Sequence, residues 1–597
     1  MKKALKYYED NIIKFKEELR SLEKELIIFS SIRFVIVAIA LIMVYFAYKR
    51  DNINGMIIIA IISVITFMLI AFVHNGKINK KNKILIMLEY NEKGKKRLNG
   101  DWKSFVDTGV EFIEEDNQFA SDLDIFGKNS LFQWINITIT KFGRESLAEK
   151  LMLKNIPTRY EIKDNQEAIK ELADKREFCE KIYLEAYREK KEKDKLDLLI
   201  KWINEKSDNN FTIRFIPYFF ITITSILLFL TVIGRLEIKY LLLDLVINYL
   251  VIKLLTRRLT DVIDIFISNK KKIVQYSNIL SIIQEENFKS DKLVKLQKGL
   301  FSRDVSCKKQ MAKLKNIINW LGDSNANAYY LIINVLFMSD IFILYNLEKW
   351  KSTNGENLEK WLKIMGEIES LISLSSLAFE HEDWVYPSIS GTNEIEIVDG
   401  GHPLLGDRAK VNSFKLSNSE KVALITGSNM SGKSTFLRTI GFNMVLSYLG
   451  LPTFSKSFKC GIYNIYTCMR TQDNLEENIS SFYAEILRIK LVIEGAKRGE
   501  KVFFLLDEIF KGTNSRDRHE GAKILIEQLV KLDGMGLVST HDLELCNLEN
   551  ERKWLVNYNF REYYEDNKLK FDYILRKGVS QTRNARYLMK MAGIDIE

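Results

Sequence analysis

Val422-Ala-Leu-Ile-Thr426, followed by Gly427, Ser428, Asn429, Met430, Ser431, Gly432, Lys433, Ser434 and Thr435, is the stretch on which the reading of this chain turns. The first five residues are apolar or β-branched and predict a buried strand. The next nine match GxxxxGK[ST] and open a helix that begins Phe436, Leu437, Arg438. In that context the glycines let successive backbone N–H groups turn inward around phosphates. Lys433 neutralises phosphate charge, and the Ser434 hydroxyl is placed to ligate Mg²⁺. All nine loop residues, Gly427 through Thr435, are candidate nucleotide-binding residues.

About seventy residues on, Val502-Phe-Phe-Leu-Leu-Asp507-Glu508 is an apolar run ending in two carboxylates. Burial drives such a run into a sheet, and its end projects Asp507 toward Mg²⁺ while Glu508 polarises an attacking water. A solvated acidic turn is the plainer alternative. A third apolar strand, Gly536 to Ser539, leads into Thr540-His541-Asp542, where His541 is positioned to sense the γ-phosphate. The catalytic candidates are therefore Glu508 and His541, and the metal-ligand candidates are Ser434 and Asp507.

Upstream of about residue 386 the composition differs. Prolines number five in 597 residues, and long Lys/Glu/Leu/Ile stretches predict helices. Lys and Arg total 88 against 78 Asp and Glu, a net charge of +10 that permits contact with nucleic acid or anionic lipid without requiring either. The five cysteines form no CxxC pair and no metal-type spacing, so a reducing compartment without structural zinc is expected.

Residues 1–100 combine a heptad, with Leu5, Ile12, Leu19, Leu26 at one position and Tyr8, Phe15, Leu22, Phe29 at the other, with two apolar runs at about 32–49 and 56–74. The heptad fits a coiled coil or a helix packed on its own chain. The two runs predict a transmembrane hairpin. Eight basic residues between Lys77 and Arg97, against none in the turn at residues 51–55, place both hairpin ends in the cytoplasm. A second hairpin is expected within 205–260, with spans at about 214–233 and 238–256, the latter interrupted by Asp244 and Asn248. A buried hairpin in a soluble protein is the alternative. Ala328 to Tyr345 contains Asn334 and Asp340 and is expected to be one core helix. The segments 101–204 and 261–385 then form a helical core, and 386–597 an α/β domain. The fold expected is multidomain, mainly α, with two transmembrane helical hairpins, ending in an α/β P-loop domain of the ABC type.

The order of motifs is specific. Thr426-Gly-Ser-Asn-Met-Ser-Gly-Lys-Ser-Thr435, Ser480-Ser-Phe-Tyr-Ala-Glu485, Asp507-Glu-Ile-Phe-Lys-Gly-Thr-Asn-Ser515 and Ser539-Thr-His541 resemble the ATPase series of the MutS family. Gly401-His402-Pro403 with Asn412 is similar to the entry of the same domain. Phe126-Gly-Lys-Asn-Ser-Leu131 and Thr140-Lys-Phe-Gly-Arg-Glu-Ser-Leu147 resemble the start of the family's helical core. Phe510 and Lys511 stand where the family has Gly-Arg, and no aromatic lies three residues before Asn412 to stack on adenine. In place of a mismatch-reading domain before the core stand the heptad helix and the first hydrophobic hairpin. The resemblance implies ATP and Mg²⁺ as cofactors and a homodimer in which Ser480 and Ser481 complete the partner's site. Together with the apolar hairpins and their basic flanks it predicts an ATPase of the cell membrane, multi-pass, with its catalytic domain in the cytoplasm, and the resemblance makes DNA the first candidate ligand. A membrane mechanochemical switch acting without DNA is the other reading.

Overall fold

The computed structural model describes residues 2–114, 117–188, 196–205, 215–256, 260–302, 305–320, 328–470, 481–565 and 568–579. They divide into two units, one of Met1–Ile137, Leu147–Asp174 and Leu371–Glu597, the other of Thr138–Ser146 and Lys175–Ser370.

The first unit opens with two long helices, Lys2–Lys49 and Ile53–Leu98, packed along each other. Heptad and first apolar run are thus one continuous helix, and the heptad's partner is the same chain. The pairing is antiparallel, as the ion pairs Glu9–Lys95, Lys16–Glu92, Glu23–Lys81 and Glu25–Lys77 require. All eight heptad positions are buried or half-buried, while neighbouring Ile13, Ile27 and Ile28 are exposed. Asn52 caps the second helix by accepting from the Gly55 N–H at 2.9 Å, and Asp51 turns the corner with φ 50°. At the open end Tyr8 lies fully buried against Gly94, where a β-carbon would come within 2.4 Å of the phenol ring. The Tyr8 hydroxyl donates to Glu380 at 2.9 Å, and Arg97 grips the same carboxylate with Nε at 2.8 Å and Nη2 at 2.6 Å. This ion pair is buried, so its geometry and the third hydrogen bond are what offset desolvation.

Toward the turn the same hairpin is apolar and bare: Phe34, Leu41, Phe46 and Phe72 are all exposed. Among the described residues, three helices are by length and composition apolar enough to cross a membrane, the two of this hairpin and Phe215–Val232 in the second unit, or four if the bent pair Leu331–Phe337 and Ser339–Glu380 is one span.

In the second unit Phe215–Val232 packs on Ile238–Thr256. The stretch expected to be one core helix is instead two, Ala328–Phe337 and Ser339–Glu380, bent by 75°. Met338, with φ 47°, makes the break, and Asn334 holds it by accepting from the Asp340 N–H at 3.0 Å and the Ser339 hydroxyl at 3.1 Å. The polar residues that argued for a core are therefore spent on the bend, and Leu331, Ile332 and Phe337 remain exposed.

The C-terminal part of the first unit holds a six-stranded sheet in the order Arg576–Lys577, Leu555–Asn559, Val422–Thr426, Met535–Ser539, Val502–Asp507, Asn464–Cys468. All neighbours are parallel except the Arg576–Lys577 edge. Helices Lys433–Tyr448, Ser481–Lys497 and Ser515–Lys531 alternate with the strands, and strand residues from Val422 to Thr426 and Val502 to Leu506 are wholly buried. Helices covering both faces are what permit such uninterrupted apolar strands. A second, four-stranded sheet is ordered Ser388–Ile389, Ser457–Cys460, Ile395–Gly400, Asn412–Leu416.

Candidate functional site

The site forms where Val422–Thr426, Val502–Asp507 and Met535–Ser539 end side by side. Parallel pairing sets Ser539 opposite both Ile425 and Asp507, so the three loops that follow emerge at one sheet edge. Open parallel sheets place ligands outside the carboxyl ends of their strands.

Between the first strand and the Lys433–Tyr448 helix the chain turns through Gly427 (φ 150°), Met430 (φ 68°) and Gly432 (φ 107°). A β-carbon on Gly427 would lie 2.7 Å from Ser431 Oγ and 3.0 Å from the Phe560 carbonyl, so only glycine fits there. Met430 is a non-glycine residue held left-handed and 85 % exposed. Ser431 is buried, and its hydroxyl has no hydrogen-bond partner among the described residues.

Lys433 is buried and donates from Nζ to the carbonyls of Gly427 at 3.0 Å and Ser428 at 3.2 Å. Burial lowers its pKa, against the pull of Glu508 and Asp507. Nζ is 3.4 Å from Glu508 Oε1 and 3.1 Å from His541 Nε2. His541 Nε2 in turn lies 2.8 Å from Glu508 Oε1 and 2.7 Å from Asn429 Oδ1. The two acceptors suit a proton on Nε2, whereas the Lys433 ammonium beside the same nitrogen suits a bare one. The hydrogen bond from His541 is the main reason the Glu508 carboxyl is pulled down to about 2, with Lys511 and Lys433 adding to it and burial opposing. Glu508 also sits left-handed, with φ 51°, its N–H fixed on the Ser539 carbonyl at 3.1 Å. Left-handed non-glycine residues cost about 1 to 3 kcal/mol each and gather where a site needs them.

The sequence-derived set is thus brought together in part. Asn429, Lys433, Glu508 and His541 converge, and Asp507 stands at the strand end accepting from the Ser539 hydroxyl. Ser480 lies outside the described residues; Ser481 opens the Ser481–Lys497 helix. Asn514 caps the Ser515–Lys531 helix, accepting from the Asp517 N–H at 2.9 Å.

Glu562, Tyr573 and Asp122 escaped the sequence, while His402 and Asn412 were marked there by resemblance alone. Glu562 accepts from the Ser428 hydroxyl at 2.9 Å. Asn412 clamps a loop from the far end of the chain, donating to the Tyr573 carbonyl at 3.0 Å and accepting from the Leu575 N–H at 2.7 Å. That clamp lays Tyr573 over Gly432, where a β-carbon would meet its ring at 3.1 Å. Beside it opens a cavity of about 230 Å³ lined by residues that include His402, Arg408, Thr435, Phe436 and Tyr573. Burial first, and then the Arg438 charge, push the His402 pKa down to about 4, so its ring is neutral at ordinary pH. Asp122 is fully buried and accepts from Thr467 Oγ1 at 2.7 Å, from the N–H groups of Met469 and Arg470 at 3.0 Å, and from Arg488 at 2.8 Å. Asp124 takes Arg470 at 2.6 Å and Arg438, on the helix that follows the glycine loop, at 3.5 Å.

Strand, glycine loop and helix, with carboxylates and a histidine at the adjoining strand ends, define a mostly parallel α/β domain with one composite polar site. Residues 423–595 match the family model of MutS domain V. The chain is 30 % identical over 245 residues to the DNA mismatch repair protein MutS of Persephonella marina, 40 % of this chain and 28 % of that protein. It is 27 % identical over 255 residues to the Endonuclease MutS2 of Carboxydothermus hydrogenoformans, 42 % of this chain and 32 % of the relative. To the MutS protein homolog 4 of Mus musculus it is 29 % identical over 224 residues, 35 % and 23 % of the two chains. The match therefore spans about a third or less of each relative's length.

Proposed function

We propose that this protein is a membrane-anchored ATPase of the MutS type, which binds and hydrolyses ATP at a dimer interface. The observation that carries the reading is the convergence of Lys433, Glu508, His541 and Asn429 beside a glycine loop whose cradle only glycine permits. The orphaned Ser431 hydroxyl and the inward-turned loop suit an incoming phosphate. Ser434 and Asp507, both hard oxygen donors, would hold Mg²⁺, which neutralises charge developing on the phosphates. On nucleotide entry Lys433 leaves the Gly427 and Ser428 carbonyls for the phosphates, freeing Glu508 to orient water. His541 remains bonded to Glu508 and reports on the γ-phosphate position. The cavity under Tyr573 takes the adenine ring, with Tyr573 in the stacking place that no residue before Asn412 supplies. Ser480 and Ser481 reach the partner's site in the closed dimer.

The membrane part of the proposal rests on the exposed apolar ends of the first hairpin and of Phe215–Val232. Large contiguous apolar surface on a described chain needs lipid or a partner. Basic residues flanking the hairpin put the ATPase domain in the cytoplasm. The ligand is proposed to be DNA, since the relatives it matches include DNA mismatch repair proteins. The bare hairpins favour a second reading, in which the ATP cycle drives a membrane or protein partner without DNA.

One experiment separates these. The ATPase rate of the detergent-solubilised protein is measured with and without duplex, mismatched and branched DNA, over a salt series. Stimulation that weakens steeply with salt supports DNA. An unchanged rate on every DNA supports the partner-driven switch, and absence of turnover in all conditions rejects the ATPase.

A further inference from the structure

Inside the second unit, Asp244 is 6 % exposed and Asn248 and Thr224 are 0 % and 4 % exposed, all within an apolar three-helix cluster. Asp244 and Asn248 are one turn apart on Ile238–Thr256, and Thr224 faces them from Phe215–Val232. The Thr224 hydroxyl donates to Asp244 Oδ2 at 2.6 Å. Asn248 Nδ2 reaches Thr224 Oγ1 at 2.9 Å and the Val335 carbonyl at 3.3 Å, while Asn248 Oδ1 is buried and has no partner among the described residues. No Lys, Arg or His among the described residues pairs with Asp244.

Two things are unbalanced here. A carboxylate buried among apolar helices, with a single hydroxyl donor, carries a charge that needs a counterion or a metal. An amide oxygen buried without a donor leaves its desolvation uncompensated. The third helix supplies the direction of the remedy. Val335 is among the last four residues of Ala328–Phe337, so its carbonyl belongs to the negative end of that helix, and the chain breaks at Met338 just beyond it. Broken helices present such carbonyls to small cations. Turning the Asn248 amide over brings its oxygen toward Thr224 and Val335, completing a set of four oxygens with one negative charge.

We propose that Asp244, Thr224, Asn248 and the Val335 carbonyl form a binding site for one monovalent alkali cation, Na⁺ being the probe. One carboxylate matches one positive charge, whereas divalent sites gather more anionic ligands. A proton alone would satisfy Asp244 and leave the Asn248 oxygen without a partner. The site needs only the second unit and stands whether or not these helices lie in lipid.

The test uses the full-length protein in detergent, without nucleotide, at constant ionic strength in sodium or choline chloride. Sodium is expected to raise the thermal midpoint by roughly 2 to 4 °C, saturably. The shift is expected to vanish in Asp244→Asn and to shrink in Thr224→Val. Equal midpoints in both salts, the same sodium response in Asp244→Asn, or a midpoint that follows pH and not sodium would each overturn the site. Should Asp244→Asn not fold, equilibrium binding of radioactive sodium to the unaltered protein decides. One ion per chain, lost in Asn248→Leu, supports the proposal, and no bound ion refutes it.

Discussion

Nε2 of His541 stands 2.8 Å from Oε1 of Glu508, although the two side chains come from the ends of different strands. The contact holds the carboxylate ionised and aimed at the glycine loop. Glu508→Gln keeps the shape but removes the charge proposed to polarise water. ATP binding is expected to persist while single-turnover hydrolysis falls about 100- to 10,000-fold. Normal turnover in this variant would falsify the assignment of the base.

The same pair has a pH signature. The Glu508 carboxyl is pulled from its ordinary 4.5 down to about 2 in the folded chain, so the folded state binds protons less readily than the unfolded one. Its stabilising contribution is present above about pH 4.5 and fades as pH falls toward about 2. Urea unfolding of the native chain and of Glu508→Gln, compared from about pH 6 to about pH 3, should show their stability difference shrinking on acidification. A gap that stays constant over that range would contradict the ion pair.

Lys433 donates to two loop carbonyls and stands beside Glu508, so its removal leaves the loop without its only charge aimed at phosphate within the Gly427–Thr435 segment. A charged hydrogen bond is worth about 1.5 to 3 kcal/mol, which is about 10- to 150-fold in affinity. Lys433→Ala should weaken nucleotide binding by at least that factor, measured by calorimetry with a non-hydrolysable analogue. Unaltered affinity would remove Lys433 from the site.

Tyr573 lies over Gly432 with its backbone clamped by Asn412. Stacking of an aromatic ring is worth about 1 to 3 kcal/mol per base. Tyr573→Ala should raise the KM for ATP about 5- to 100-fold with little change in kcat, and Tyr573→Phe should restore it. Equal KM values for the alanine variant and the native chain would mean that adenine rests elsewhere.

What the chain's sequence announced and what it hid follow from one physical difference. Gly427 to Thr435, Asp507, Glu508 and His541 sit at the ends of strands buried on both faces, and such strands write long apolar runs that locate their own termini. The heptad likewise revealed a seam, since a periodicity of seven survives whatever partner covers it. Tyr573, Glu562 and Asp122 carry no local pattern: they reach the site only through contacts between distant segments. The break at Met338 was hidden for a related reason. Apolar residues continue through it on both sides, and only the side-chain bonds of Asn334 mark the bend.

Asp122 provides the most severe test of how the N-terminal part of the first unit is tied to the C-terminal α/β domain. Its fully buried carboxylate takes the partly exposed Arg488 guanidinium at 2.8 Å, the Thr467 hydroxyl at 2.7 Å and the N–H groups of Met469 and Arg470 at 3.0 Å. Alanine in its place strands Arg488 and two backbone donors together, and breaking a buried pair costs about 3 to 5 kcal/mol. Asn keeps one acceptor oxygen but turns an amide donor toward groups that already donate. Asp122→Ala is therefore expected to lower domain stability by about 3 to 5 kcal/mol in chemical unfolding, and Asp122→Asn to fall between it and the native chain. Because Met469 and Arg470 follow the Asn464–Cys468 strand beside Val502–Asp507, the loosening should also reach the proposed ATPase site. Residual ATPase in Asp122→Asn should drop more than its global stability loss explains. If it does not, Asp122 fastens the two segments without serving the site.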